Sequence, residues 1–82
     1  MNHERAAMLG LLAEARKKRE ELRAKCEWLA QSLRQGLNTA LTNVEDLAMD
    51  TVWQQMTELS GSWAELVAVR ARIERLEREL GG

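Results

Sequence analysis

The stretch LAEARKKREELRAKCEWLAQSL, residues 12–33, decides the fold. Its apolar residues Leu12, Ala15, Leu22, Cys26, Leu29 and Leu33 recur at helical spacing, which gathers them on one side of an α-helix and would scatter them over both faces of a strand. With Leu12 set at heptad position a, the first half of the chain reads Arg5, Leu12, Arg19, Cys26 and Leu33 at a, and Met8, Ala15, Leu22 and Leu29 at d. The second half repeats the pattern, with Met49, Met56, Trp63, Arg70 and Glu77 at a and Val52, Leu59, Leu66, Ile73 and Leu80 at d. No proline interrupts either stretch, so two long helices packed along a coiled-coil-like seam are expected.

Local signals set the expected boundaries. Asn2 is placed to cap the first helix, with Glu4 near the positive end of its dipole. Gly36 suits the left-handed position that ends a helix, and Leu37 then packs back on the last turn. Thr42 and Glu45 form a T-x-x-E capping box that starts the second helix. The reading is an all-α antiparallel helical hairpin, a single domain over 1–82, with helix one about 3–35, a connection 36–42 and helix two about 43–80. Leu37, Leu41, Val44 and Leu47 are expected to cover the turn. Ser60, Gly61 and Ser62 mark a bend or break, since Ser62 with Glu65 repeats the capping pattern. The apolar seam nevertheless continues through Leu59, Trp63 and Leu66, and Gly61 falls at f, which favours a continuous helix.

Two registers fit these heptads. A turn near residue 39 makes facing residue numbers sum to 78, which sets small Ala15 against Trp63, Leu12 against Leu66 and Leu29 against Met49. A sum of 85 sets Leu12 against Ile73 and Leu22 against Trp63, and requires Gly36 inside the first helix with a turn near Thr42. The glycine signal selects the first.

A chain of 82 residues in two rods buries one stripe per rod, while ordering it costs about 1.5 kcal/mol per residue. A lone hairpin is therefore marginal, and self-association or a protein partner is expected. Leu9 and Leu11 on the first helix, and Val67, Val69 and Leu76 on the second, flank the seam as further apolar residues toward the open end. A stripe this broad belongs in a bundle of three or more helices, so a homodimer forming a four-helix bundle is the expected assembly, with a partner's helix as the alternative occupant.

The formal net charge is -1 and carries no general argument for nucleic acid or membrane. Its distribution is uneven: residues 1–41 hold eight basic and five acidic side chains, and residues 42–82 hold four basic and eight acidic. Arg16, Lys17, Lys18, Arg19, Arg23 and Lys25 form a basic belt on the first helix. Arg16, Lys17, Lys18, Arg23 and Lys25 are the candidate contacts for nucleic acid or an acidic partner. Acids four residues away, such as Glu14 with Lys18, Glu21 with Lys25 and Glu27 with Arg23, and the lack of interleaved aromatics favour a solvated face instead. Arg19 and Arg70 at a are expected to lay their stems along the seam.

One cysteine excludes an internal disulfide, and one His with one Cys makes no metal motif, so neither metal nor cofactor is expected. Cys26 reads as a small core residue and Trp63 as core, while Trp28 and Trp53 lie off the seam as exposed or interfacial residues. No phosphate loop or paired nucleophile and base occurs, so catalysis is not expected. No apolar run reaches a membrane span and no leader pattern is present, which makes a cytoplasmic setting the expectation. Richness in Ala, Leu, Arg and Glu is in keeping with a bacterial or phage origin. The expected role is a small protein-interaction module acting through helix packing: an adaptor, a chaperone-like protein or a phage or plasmid accessory factor. The second reading is a nucleic-acid-binding regulator that presents the basic belt on a dimeric hairpin.

Overall fold

The computed structural model describes residues 2–81, with the backbone alone at Asn2 and Ala40. Helix α1 spans Asn2–Ala40, a 3-10 turn spans Val44–Asp46 and helix α2 spans Met49–Gly81. The two helices pack side by side as a hairpin measuring 64 × 16 × 14 Å. A helix of 39 residues should run about 58 Å at 1.5 Å per residue, so α1 sets the length of the molecule.

The turn differs from the sequence expectation in three linked ways. First, α1 runs through Gly36: among the described residues no glycine has a positive φ, so Gly36 is an ordinary helical residue. Second, the Thr42 hydroxyl donates to the Thr39 carbonyl at 3.1 Å, and the Leu41 amide donates to the Asn38 carbonyl at 3.2 Å. Thr42 thus satisfies the carbonyl end of α1 and does not open α2. Third, Asn43, with extended backbone, caps the short 3-10 turn by accepting from the Glu45 amide at 3.1 Å through Oδ1. Ala48 then accepts the first α2 bond from the Val52 amide at 3.0 Å, and Asp50 lies in the first turn near the dipole's positive end. The expected Asn2 cap falls on a side chain outside the described residues.

At the open end, the Arg5 guanidinium donates to the Leu80 carbonyl at 3.3 Å, placing a cation against the carbonyl end of α2. Helix α2 is continuous through Ser60, Gly61 and Ser62, as the unbroken seam led one to expect. Gly36 and Gly61 are exposed, and a Cβ built at either meets nothing within 4 Å. Gly36→Ala and Gly61→Ala should therefore each stabilise the chain by about 1 kcal/mol, raising its melting temperature by roughly 4–8 °C in a chain of this size. A lower melting temperature for Gly36→Ala would mean that α1 ends at the glycine in solution.

The core sets the register. Leu12, Ala15 and Ile73 form a buried cluster, with Val69, Leu76 and Leu80 packed against it. Leu12 beside Ile73 belongs to the register in which facing numbers sum to 85, not 78. This follows from the turn, because a helix that continues through Gly36 moves the reversal toward residues 41–48 and advances α2 by one heptad.

Candidate interaction surface

On α1 the seam is the expected a and d stripe: Leu12, Ala15, Leu22, Leu29 and Leu33 are buried, and Met8, Arg19 and Cys26 are half-buried. On α2 it is a different stripe. Its d residues Val52, Leu59, Leu66, Ile73 and Leu80 turn inward, joined by the g residues Gln55, Ser62, Val69 and Leu76. The expected a residues face outward, and Trp63, read from the sequence as core, is 60% exposed.

The rotation has a sequence cause. Positions g and d also alternate by three and four residues, so α2 carries two overlapping seams that differ by about 60° at 3.6 residues per turn. Near the open end the a row holds Arg70 and Glu77, whereas the g row holds Val69 and Leu76. Near the turn the balance is reversed, with Met49, Met56 and Trp63 at a against Gln55 and Ser62 at g. A single helix presents one of these rows along its whole length. Turning g inward keeps two charges out of the seam and brings small Ser62 level with Leu22, where Trp63 would overfill the space between helices 8–10 Å apart. The cost falls on the turn half, where large apolar side chains remain in water.

What remains outside is an ordered stripe. Met49, Trp53, Met56, Trp63 and Val67 are 58%, 73%, 48%, 60% and 41% exposed, and they occupy consecutive a and e positions of α2 interrupted only by Ser60. The Arg16 guanidinium of α1 meets the Glu77 carboxylate of α2 at 3.6 Å, which puts the e row of α1 on the same side of the hairpin as the a row of α2. That α1 row continues through Arg23 and Ala30 to Leu37, itself 47% exposed. The broad face is therefore apolar toward the turn and charged toward the open end.

The residues singled out in the sequence divide accordingly. Leu9, Leu11 and Val67 are exposed. Val69 and Leu76, expected to lie beyond reach of a two-helix seam, instead pack within it against Leu12, Ala15 and Ile73. The rotation of α2 is the reason, since it moves the whole g row inward. Met49, Met56 and Trp63, assigned to the seam from the heptads, form the exposed stripe together with Trp53. The signal for this lay in the distribution of charge: Arg70 and Glu77 at a argued against burying that row. Trp28 and Trp53 are exposed, as their positions off the seam required.

In the basic belt, Arg16, Lys17, Lys18, Arg23 and Lys25 are all exposed. Arg23 pairs with Glu27 at 3.3 Å as the i,i+4 spacing predicts, and Arg19 meets Glu20 at 3.7 Å. Arg16 crosses to Glu77 and not to Glu20, while Lys17, Lys18 and Lys25 enter no ion pair among the described residues. Cys26 is a half-buried free thiol. Among the described residues no group of three or more His, Cys, Asp or Glu side chains is arranged to hold a metal ion, and no helix is long and apolar enough to cross a membrane. Comparison of this chain with protein-family models, with curated proteins and with solved structures yields no match.

Proposed function

We propose that this chain is a small non-catalytic interaction module that works by helix packing, with the α2 stripe as its docking face. The observation that carries the reading is the row Met49, Trp53, Met56, Trp63 and Val67, exposed along one side of a helix whose adjacent side is already used by α1. Two exposed indoles alone offer about 300 Å² of surface, comparable to the whole of the largest apolar patch on many monomers. Tryptophan anchors of this kind dominate interfaces, and a third or fourth helix laid along the row would complete a bundle. The roles in keeping with this are those of an adaptor, a chaperone-like protein or an accessory factor in an assembly.

The size of the tagged chain in an extract of cells expressing it tests the reading. Wild type should migrate well above its 9.4 kDa chain mass, with or without nuclease, and Trp53→Ser combined with Trp63→Ser should bring it down to that mass. Migration of the wild type at its chain mass would sink the proposal.

The regulator reading retains one specific observation, the three lysines Lys17, Lys18 and Lys25 that stand exposed without an ion-pair partner among the described residues. Replacing all three by Gln should cost only a few tenths of a kcal/mol per lost helical pair and leave assembly intact. Tight binding of wild type to RNA or DNA at physiological salt, with a salt dependence that flattens in the triple variant, would make the regulator the better account.

A further inference from the structure

We infer that the occupant of the α2 stripe is a second copy of this chain, laid antiparallel across it about a two-fold axis to make a four-helix bundle; this rests on the packing-module reading above. The stripe matches itself. In an antiparallel pairing centred between Met56 and Ser60, Met49 comes level with Val67 of the other copy, Trp53 with Trp63 and Met56 with Ser60. Each indole is matched by an indole, and the largest flexible side chain lies over the smallest. Sliding by one heptad in either direction spoils the match. One shift sets Trp63 level with Asp46 and Val67 level with Thr42 beyond the end of α2. The other sets Trp53 level with Arg70 and Met49 level with Glu74.

Charge is compatible with the same arrangement. The stripe rows carry no charged residue from Met49 through Val67, so nothing in them repels a copy or calls for a partner of either sign. Just beyond this stretch, Arg70 lies toward the turn end of the second copy, where the Val44–Asp46 turn carries Glu45 and Asp46. The register within the hairpin carries the axis from α2 to the level of Glu27 on α1. There Glu20 comes level with Arg34 of the second copy. Glu27 faces its own copy across the axis, with Arg23 at 3.3 Å already neutralising each. An isologous contact needs one self-complementary patch, and this face supplies it. Two indoles, two methionines, Val67 and Leu37 together approach the roughly 800 Å² per partner of a standard stable interface.

Two measurements on the purified chain decide the matter. Sedimentation equilibrium at tens of micromolar should give twice the 9.4 kDa chain mass, and Trp63→Glu should weaken dimerisation by about 30-fold or more. In a Cys26→Ser background, an equimolar mixture of Met56→Cys and Ser60→Cys chains should oxidise mainly to the mixed disulfide. Residues 56 and 60 are level across the axis, whereas like residues are offset by four positions, about 6 Å at helical rise, and exceed the reach of a disulfide. Glu58→Cys, on the side of α2 away from the stripe, should not cross-link. The cysteine experiment leaves both indoles in place, so it decides even if Trp63→Glu fails to fold. A single-chain mass for purified wild type overturns the inference, as does a dimer in which Glu58→Cys cross-links and the Met56→Cys and Ser60→Cys pair does not. A purified monomer that still enters a Trp-dependent complex in extract would overturn the second copy and leave the packing-module reading standing.

Discussion

Ser62→Glu is expected to unfold this chain, whereas Trp63→Glu, one residue further on, is expected to leave the hairpin folded. Ser62 is 5% exposed and faces α1, with Leu22 level with it in the observed register. A carboxylate there loses much of its water, a penalty of several kcal/mol after relaxation that Arg19, half-buried one turn from Leu22 on the α1 seam, offsets only in part, and this is a large part of the 5–15 kcal/mol that stabilises an ordinary domain. Trp63 is 60% exposed, and a glutamate in its place stays hydrated. Whatever stability Trp63→Glu loses should come from assembly, and so should depend on protein concentration, while the loss at Ser62 should not. Circular dichroism melts of both variants across a hundredfold concentration range distinguish the two. Were Trp63→Glu the variant that unfolds independently of concentration, the seam of α2 would be the a and d stripe and the docking face would vanish. The conservative change Ser62→Ala should go the other way and stabilise by a few tenths of a kcal/mol, since alanine has the better helix propensity and removes a buried hydroxyl.

How much of this was legible in the sequence depends on the kind of signal. The hairpin and the α1 seam were plain, because Leu12, Ala15, Leu22, Leu29 and Leu33 have no competing stripe on their helix and the chain lacks proline. The turn depends on several local signals acting together. Gly36 is a good helix terminator, yet glycine only permits a left-handed conformation and does not impose one. Here α1 continues past the glycine, and the Thr42 hydroxyl donates to the Thr39 carbonyl at 3.1 Å, so a terminal carbonyl of the helix is still engaged. The register followed the turn, and the choice between 78 and 85 was carried by a few residues near Gly36. The face of α2 was ambiguous for a different reason. Its apolar pattern drifts from a toward g along the helix, so heptad matching scores both stripes well, and only weighing the charged Arg70 and Glu77 against the small Ser62 separates them. With g turned inward, the a and e residues of the turn half are left exposed as one stripe.

The second large effect is expected at Leu29, which at 1% exposure is the most completely buried large side chain among the described residues. Leu29→Ala removes the central contact of the seam on the turn half, where α2 presents Gln55 at its level and Val52 and Leu59 half-buried nearby. Truncations of this kind cost about 2–5 kcal/mol, and the position within that range depends on how far the surroundings can collapse into the space left behind. In an isolated two-helix hairpin no third layer stands over the seam, so the helices can draw together and the cost should fall near 2 kcal/mol. In a four-helix bundle the second copy holds both helices in place, and the cost should rise toward the upper end. Urea denaturation of Leu29→Ala below and above the dimerisation range therefore measures the same deletion in an open and a closed setting. The wild-type m-value should also be larger at high concentration, because more surface is exposed when a bundle unfolds. A cost under about 1 kcal/mol at every concentration would place Leu29 outside the seam, contrary to its burial. A cost that does not change with concentration, in a chain that sediments as a dimer, would mean that the second copy sits away from this seam and does not constrain it.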